Sequence, residues 1–205
     1  MKELHLKNGR ALVIVAHPDD ETIWMGGTML SFPKIRWTVF SLCRKNDSDR
    51  APKFRKAAKQ YGARPIISDL EDEGIMTTKQ SLPEIEKRIE KTLKNLEKSR
   101  FNYVFTHGKN GEYGHPRHQE THRTVKKLLR GKTIAAEKVF CFSYEKPERK
   151  NFCLPSKQAD LFAKLSPTIL KRKKFITEKI YGFPKSSFEY KSSSPVETFR
   201  VINKI

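Results

Sequence analysis

Cysteine is scarce in this 205-residue chain: Cys43, Cys141 and Cys153 are an odd three without CxxC spacing. That excludes a disulfide framework and fits a reducing cytosol. No apolar run reaches the length of a membrane span, and the opening Met-Lys-Glu with its short apolar stretch does not read as a secretory leader. The expectation is therefore a cytoplasmic protein, with contact at a membrane face left open. Acidic residues are also in deficit, 23 against 42 Lys and Arg, for a formal charge of +19. Such an excess suits an anionic partner or a lysine-rich solvated surface. The basic residues are scattered, with one knot at Lys171-Arg172-Lys173-Lys174, and no RNA-binding signature of interleaved aromatics accompanies them. Nucleic acid is thus not the expected partner. Internal repeats and long linkers are missing too, and the length suits one α/β domain.

What is present begins at Ala11-Leu12-Val13-Ile14-Val15-Ala16, a β-branched run that empties into His17-Pro18-Asp19-Asp20-Glu21. The pattern predicts a buried parallel strand over 10–16 whose C-terminal turn carries the polar load. Open α/β sheets bind ligands at that edge. Clustered carboxylates resist burial unless a cation joins them. Further strands are expected at 36–42, 65–68, 102–106, 138–144 and 197–202. Helices are expected at 26–30, 53–61, 81–98 (capped by Ser81 with Glu84 three residues on), 115–129 and about 160–181. Strands alternating with helices imply a Rossmann-like, mainly parallel sheet with helices on both faces. The glycines at 26 and 27 read as a close-packing feature.

Two constellations carry chemistry. His17-x-x-Asp20 offers two donors on one tight turn, with Asp19 and Glu21 alongside. His115-x-x-His118 offers two histidines on the first turn of a helix. If the two strand ends are neighbours, these groups converge. Two histidines and a carboxylate with open positions suit catalytic Zn²⁺, and equally resemble the facial set of non-haem Fe²⁺. Either motif alone is more often a surface pair or a set of first-turn acids. His107 reads as a supporting group at a strand end, and His122 as an exposed helix histidine.

Ala16-His17-Pro18-Asp19-Asp20-Glu21 followed by Gly26-Gly27, with Gly111-Glu112-Tyr113-Gly114-His115-Pro116-Arg117-His118, resembles the two motifs of the PIG-L/LmbE-like N-deacetylase family. The likeness runs from the first strand to about residue 145, with an echo at Glu197-Thr198-Phe199-Arg200. It implies a Rossmann-like fold and Zn²⁺-dependent removal of an N-acetyl group, usually from an N-acetylglucosamine unit. By resemblance, His17, Asp20 and His118 are the metal ligands. Asp19 is the base that takes a proton from water, His115 the acid that protonates the departing amine, and Tyr113 a group near the oxyanion. Arg50 stands where relatives place a substrate-contacting arginine.

The chain departs from the pattern at Arg117, where relatives often carry an acid that would support a charged His115. An arginine there would disfavour that charge, and it reads as directed to solvent or to an anionic substrate. Lys53 replaces a common glutamate. Residues 145–195 lack the family pattern, and substrate choice is assigned to them. The expected partner is an N-acetylated sugar conjugate, with a phosphate-bearing one attractive on charge grounds. Fe²⁺ or another divalent ion stays open, as do hydrolysis of another amide or (phospho)ester and a non-catalytic polyanion-binding relative.

Overall fold

The computed structural model describes residues 1–96 and 100–202. Its elements are β1 (Lys2–Glu3), β2 (Arg10–Val15), α1 (Asp20–Ser31), β3 (Arg36–Cys43), α2 (Arg50–Gln60), β4 (Arg64–Leu70), α3 (Thr78–Lys94), β5 (Arg100–Thr106), the turn α4 (Gly111–Gly114) and α5 (Pro116–Arg130). There follow β6 (Ala135–Phe142), β7 (Tyr144–Glu145), β8 (Leu154–Pro155), β9 (Leu161–Lys164), α6 (Pro167–Phe175), a π-helical turn (Ile176–Ile180), α7 (Phe188–Ser192) and β10 (Val196–Val201). Eight strands form one sheet in the order β1-β9-β10-β6-β5-β2-β3-β4. The run β6-β5-β2-β3-β4 is parallel, and β10 joins it antiparallel to β6.

Alternation along β2 explains why helices cover both faces. Ala11, Val13 and Val15 enter one core with Trp24, Phe54 and Ile176, from α1, α2 and the π-helical turn. Leu12 and Ile14 enter the other with Ile85 and Ile89 of α3 and Val125 and Leu128 of α5. The chain leaves β2 toward β3 and β4, then returns to place β5 on the opposite side of β2. That reversal opens a crevice at the carboxyl ends of β2 and β5. Among the described residues, no helix is long and apolar enough to cross a membrane.

Three elements differ from expectation. The first helix starts at Asp20, well before Gly26, and is two segments joined at Met25 (φ −150°, ψ 15°). The amide groups of Gly27 and Thr28, freed by this kink, donate to the buried carboxylate of Glu197 at 2.8 and 2.6 Å. Gly27 also lies against Leu165, whose Cδ1 would be 2.3 Å from an added Cβ, so the close approach is to the β9–α6 connection. The third helix begins one turn early, because Thr77 and Gln80 form the cap that Ser81 and Glu84 were expected to make: the Thr77 amide donates to Gln80 Oε1 at 3.0 Å. Its expected end at Lys98 lies outside the described residues. The helix expected over 160–181 is instead β9, paired to β1 and β10, then a helix started by Ser166 and Pro167. Pro167 suits a helix's first position and not its interior.

Lys173 of α6 is fully buried and pairs with Glu197 at 2.7 Å, so Glu197 serves two kinked amides, the Thr28 hydroxyl and one ammonium. Replacing one partner strands the other in a dry interior. Glu197→Ala is therefore expected to cost about 3–5 kcal/mol in urea unfolding, and a loss below about 1 kcal/mol contradicts this role.

Candidate active site

Both sequence motifs arrive at this crevice. His17 and Asp20 follow β2, and His115 and His118 open α5 after β5. His17 Nδ1 lies 3.2 Å from His118 Nε2, Asp20 Oδ2 lies 3.4 Å from His17 Nδ1, and Asp20 Oδ1 lies 3.4 Å from His118 Nε2. Asp20 thus presents one carboxylate oxygen to each histidine, and the three residues lie close enough together that they would hold a divalent cation between them.

The groups behind the ligands set their lone pairs. Asp72 Oδ1 takes the Nε2 side of His17 at 2.8 Å, and Glu112 Oε2 takes Nδ1 of His118 at 2.6 Å. The opposite nitrogen of each ring is thereby turned to the common point, the arrangement in which a histidine binds a metal. Burial opposes charge on His17, but Asp20 and Asp72 overcome it and raise its pKa to about 10. Asp20 is held well below the usual carboxylate range despite burial, by His118 and His107. The donor set thus fits a divalent cation: two imidazole nitrogens, each fixed from behind, and one carboxylate.

Glu112 also accepts from the Gly108 amide at 2.7 Å and meets His107 Nδ1 at 2.8 Å. Burial pushes its pKa up, yet His107 and His118 bring it down to about 2. Glu112 and Asp20 pull His107 up to about 9 against burial. The Ala16 amide at 2.9 Å nevertheless needs a lone pair on its Nε2, so this geometry holds the ring neutral. His107 stands against Asp20 Oδ2 at 3.4 Å and stacks on His118. His122 does not match its reading: it is buried, with Nδ1 against the His107 carbonyl at 2.9 Å.

A pocket of about 290 Å³ opens over these ligands, lined by Asp19, Arg50, Tyr113 and His115 among others. Asp19 sits at φ 121°, a left-handed backbone for a non-glycine residue beside the chemistry. Its amide donates to Glu21 Oε2 at 3.0 Å and its Oδ2 accepts from Arg50 Nη1 at 2.6 Å. Burial and then Asp20 push its carboxyl well above the ordinary range, with Arg50 opposing. Burial, with Asp20 and Asp19 adding to it, raises the Tyr113 phenol, which stays protonated.

His115 is the N-cap of α5, its Nδ1 accepting from the Arg117 amide at 3.2 Å. Burial, then His118 and His17, lower its pKa to about 4. A helix N-terminus opposes an imidazolium as well. The ring is therefore neutral, with its proton on Nε2.

Arg117 corrects the sequence reading. Its guanidinium faces neither solvent nor the pocket: it is buried, with Glu120 at 2.6 Å and Glu71 at 3.5 Å. Those acids take up its charge. The residues that sequence reasoning left without a role are Glu112, Asp72 and Arg44, which pairs with Asp72 at 3.0 Å. Glu112 stood inside the second motif, and Asp72 in an acidic turn that nothing in the sequence tied to His17.

A family model described as PIG-L, GlcNAc-PI de-N-acetylase, matches residues 12–129. A comparison with curated proteins gives no match. Among solved structures, a 4-carboxy-2-hydroxymuconate hydratase from Pseudomonas putida superposes with a TM-score of 0.69 at 14% identity, covering 96% of this chain and 97% of its own. A deacetylase of an antimicrobial pseudoaglycone gives 0.67 at 16% identity, over 97% and 99%. An N,N'-diacetylchitobiose deacetylase from Pyrococcus horikoshii gives 0.65 at 16% identity, over 94% and 83%. A fold shared by deacetylases and a hydratase does not by itself choose the reaction. The family match covers more than half of the sequence, including both motifs that meet at the crevice, and this chain belongs to the PIG-L family.

Proposed function

We propose that the chain is a metal-dependent hydrolase that removes the N-acetyl group from an N-acetylglucosamine-type sugar conjugate. The observation that carries this reading is the convergence of His17, Asp20 and His118 within 3.2–3.4 Å, beside the raised carboxyl of Asp19. A divalent ion held by these three residues, Zn²⁺ in the first instance, supplies Lewis acidity that brings a water pKa to about 7 and polarises the carbonyl.

The remaining steps belong to the chain's own side chains. Asp19, oriented by Arg50, takes a proton from the attacking water as oxygen bonds to the acetyl carbon. Charge develops on the carbonyl oxygen, where the neutral His115 Nε2–H and the Tyr113 hydroxyl are the available donors. The proton held on Asp19 passes to the amide nitrogen, the C–N bond breaks, and acetate and a free amine leave. This departs from the acid role that the resemblance gives His115, because an imidazolium is disfavoured there by burial and by the helix terminus. A reducing, cytoplasmic setting agrees with Cys43, Cys141 and Cys153, all buried and free.

Two outcomes test this reading. Asp19→Asn is expected to keep metal content and melting temperature close to wild type while acetate release falls about 10²–10⁴-fold. Turnover within about tenfold of wild type removes the base. Glu112→Gln is expected to weaken zinc binding about 10–100-fold in a competitive chelator titration, since His118 loses the carboxylate that orients it. Unchanged zinc affinity would show that Glu112 plays no part in presenting the ligand.

A further inference from the structure

The family match ends at residue 129, yet two pocket side chains, Phe188 and Glu189, come from α7 in the segment without family pattern. This short helix is firmly tied down. Ser192 and Ser193 are fully buried, Ser192 Oγ accepts from the Cys153 amide at 3.0 Å, Ser193 Oγ meets Thr177 Oγ1 at 3.2 Å, and Lys174 donates to the Tyr190 carbonyl. Phe188 packs edge-on against Tyr113, ring centroids 4.9 Å apart. Glu189 lines the same pocket, and its carboxylate makes no hydrogen bond or ion pair among the described residues.

The charge of this wall is opposite to that of the chain. Although the whole sequence carries +19, five carboxylates and two arginines line the pocket. Both arginines are already matched, Arg50 to Asp19 at 2.6 Å and Arg44 to Asp72 at 3.0 Å. Neither arginine is therefore left unpaired to hold a phosphate. An aromatic ring fixed against Tyr113 beside an unengaged carboxylate instead suits a ligand ring with an apolar C–H side and hydroxyl donors.

We propose that Phe188 and Glu189 are the specificity-determining residues and that they select an uncharged, hydroxyl-rich pyranose over a phosphorylated one. The selection rests on the sugar-deacetylase reading. It reverses the expectation that the basic composition favours an anionic substrate in the pocket itself.

The test titrates zinc-loaded protein with N-acetylglucosamine and with N-acetylglucosamine 1-phosphate by NMR, and follows acetate release in parallel. Proteins compared are the wild type, Phe188→Ala, Phe188→Tyr, Glu189→Gln, and Arg123→Ala as an exposed control outside the pocket, with melting curves to verify folding. The neutral sugar is expected to bind at least about tenfold more tightly than its phosphate. Phe188→Ala and Glu189→Gln are expected to weaken neutral-sugar binding about tenfold. Phe188→Tyr retains binding, and Glu189→Gln narrows the gap between the two sugars. Tighter binding of the phosphate, absence of sugar binding, or unchanged affinity in both weakened variants overturns the inference, whether or not acetate is released. Sugar binding that depends on both residues, without acetate release by the wild type, supports it and removes the deacetylase reading instead.

Discussion

Everything at the crevice depends on one electrostatic constraint: ring nitrogens and carboxylate oxygens from two distant parts of the chain stand within little more than 3 Å of one another. Such a cluster is costly to bury, since each group has left water and only part of its hydrogen bonding is replaced, as where the His17 amide and the Trp24 indole donate to Asp20. A shared proton relieves it in part, and a divalent cation relieves it fully. The surrounding chain is arranged to maintain the conflict. Asp72 and Glu112 each occupy the far nitrogen of one of these histidines, which fixes the orientation of both rings.

Holding two motifs about a hundred residues apart in register requires the sheet. β2 and β5 are direct parallel neighbours, paired from Ala11 with Tyr103 to Ile14 with Thr106, so their carboxyl ends release the chain side by side. The turns that follow are strained at the positions that matter. Asp19 and Glu112 both adopt left-handed backbone, one aimed at the pocket and the other behind His118. Such conformations persist where the surroundings over-determine them. Here Glu21 receives the Asp19 amide and is itself held by the Tyr181 hydroxyl at 2.7 Å, while Glu112 is held by Gly108 and two histidines. The C-terminal segment thus braces the site's N-terminal turn as well as lining the pocket.

Much of this was legible in the sequence. Apolar runs with period two or 3.6 located the parallel strands and most helices, because burial on both faces of a sheet leaves a strong pattern. The two motifs were legible by their conjunction: each alone suits a surface pair or first-turn acids, but both fall at loops that follow strands. Other features were not. β9 depends on pairing with β1 and β10, which no local window contains, whereas the start of α6 carries a local mark in Ser166 and Pro167. Arg117 looked like a free cation because its partners, Glu71 and Glu120, are identified only by tertiary packing. His122 looked exposed for the same reason. The overall charge pointed toward an anionic substrate, but the pocket is walled by carboxylates, and a sum over the chain cannot report how charge is distributed.

The most direct measurement is X-ray absorption at the zinc edge on purified protein with matched elemental analysis. The expected result is one divalent ion per chain, bound by two imidazole nitrogens and carboxylate oxygen, and lost in His118→Ala while the fold is kept. A wild-type protein that releases acetate with no metal, or a His118→Ala protein that retains the ion in the same coordination, would contradict the shared site.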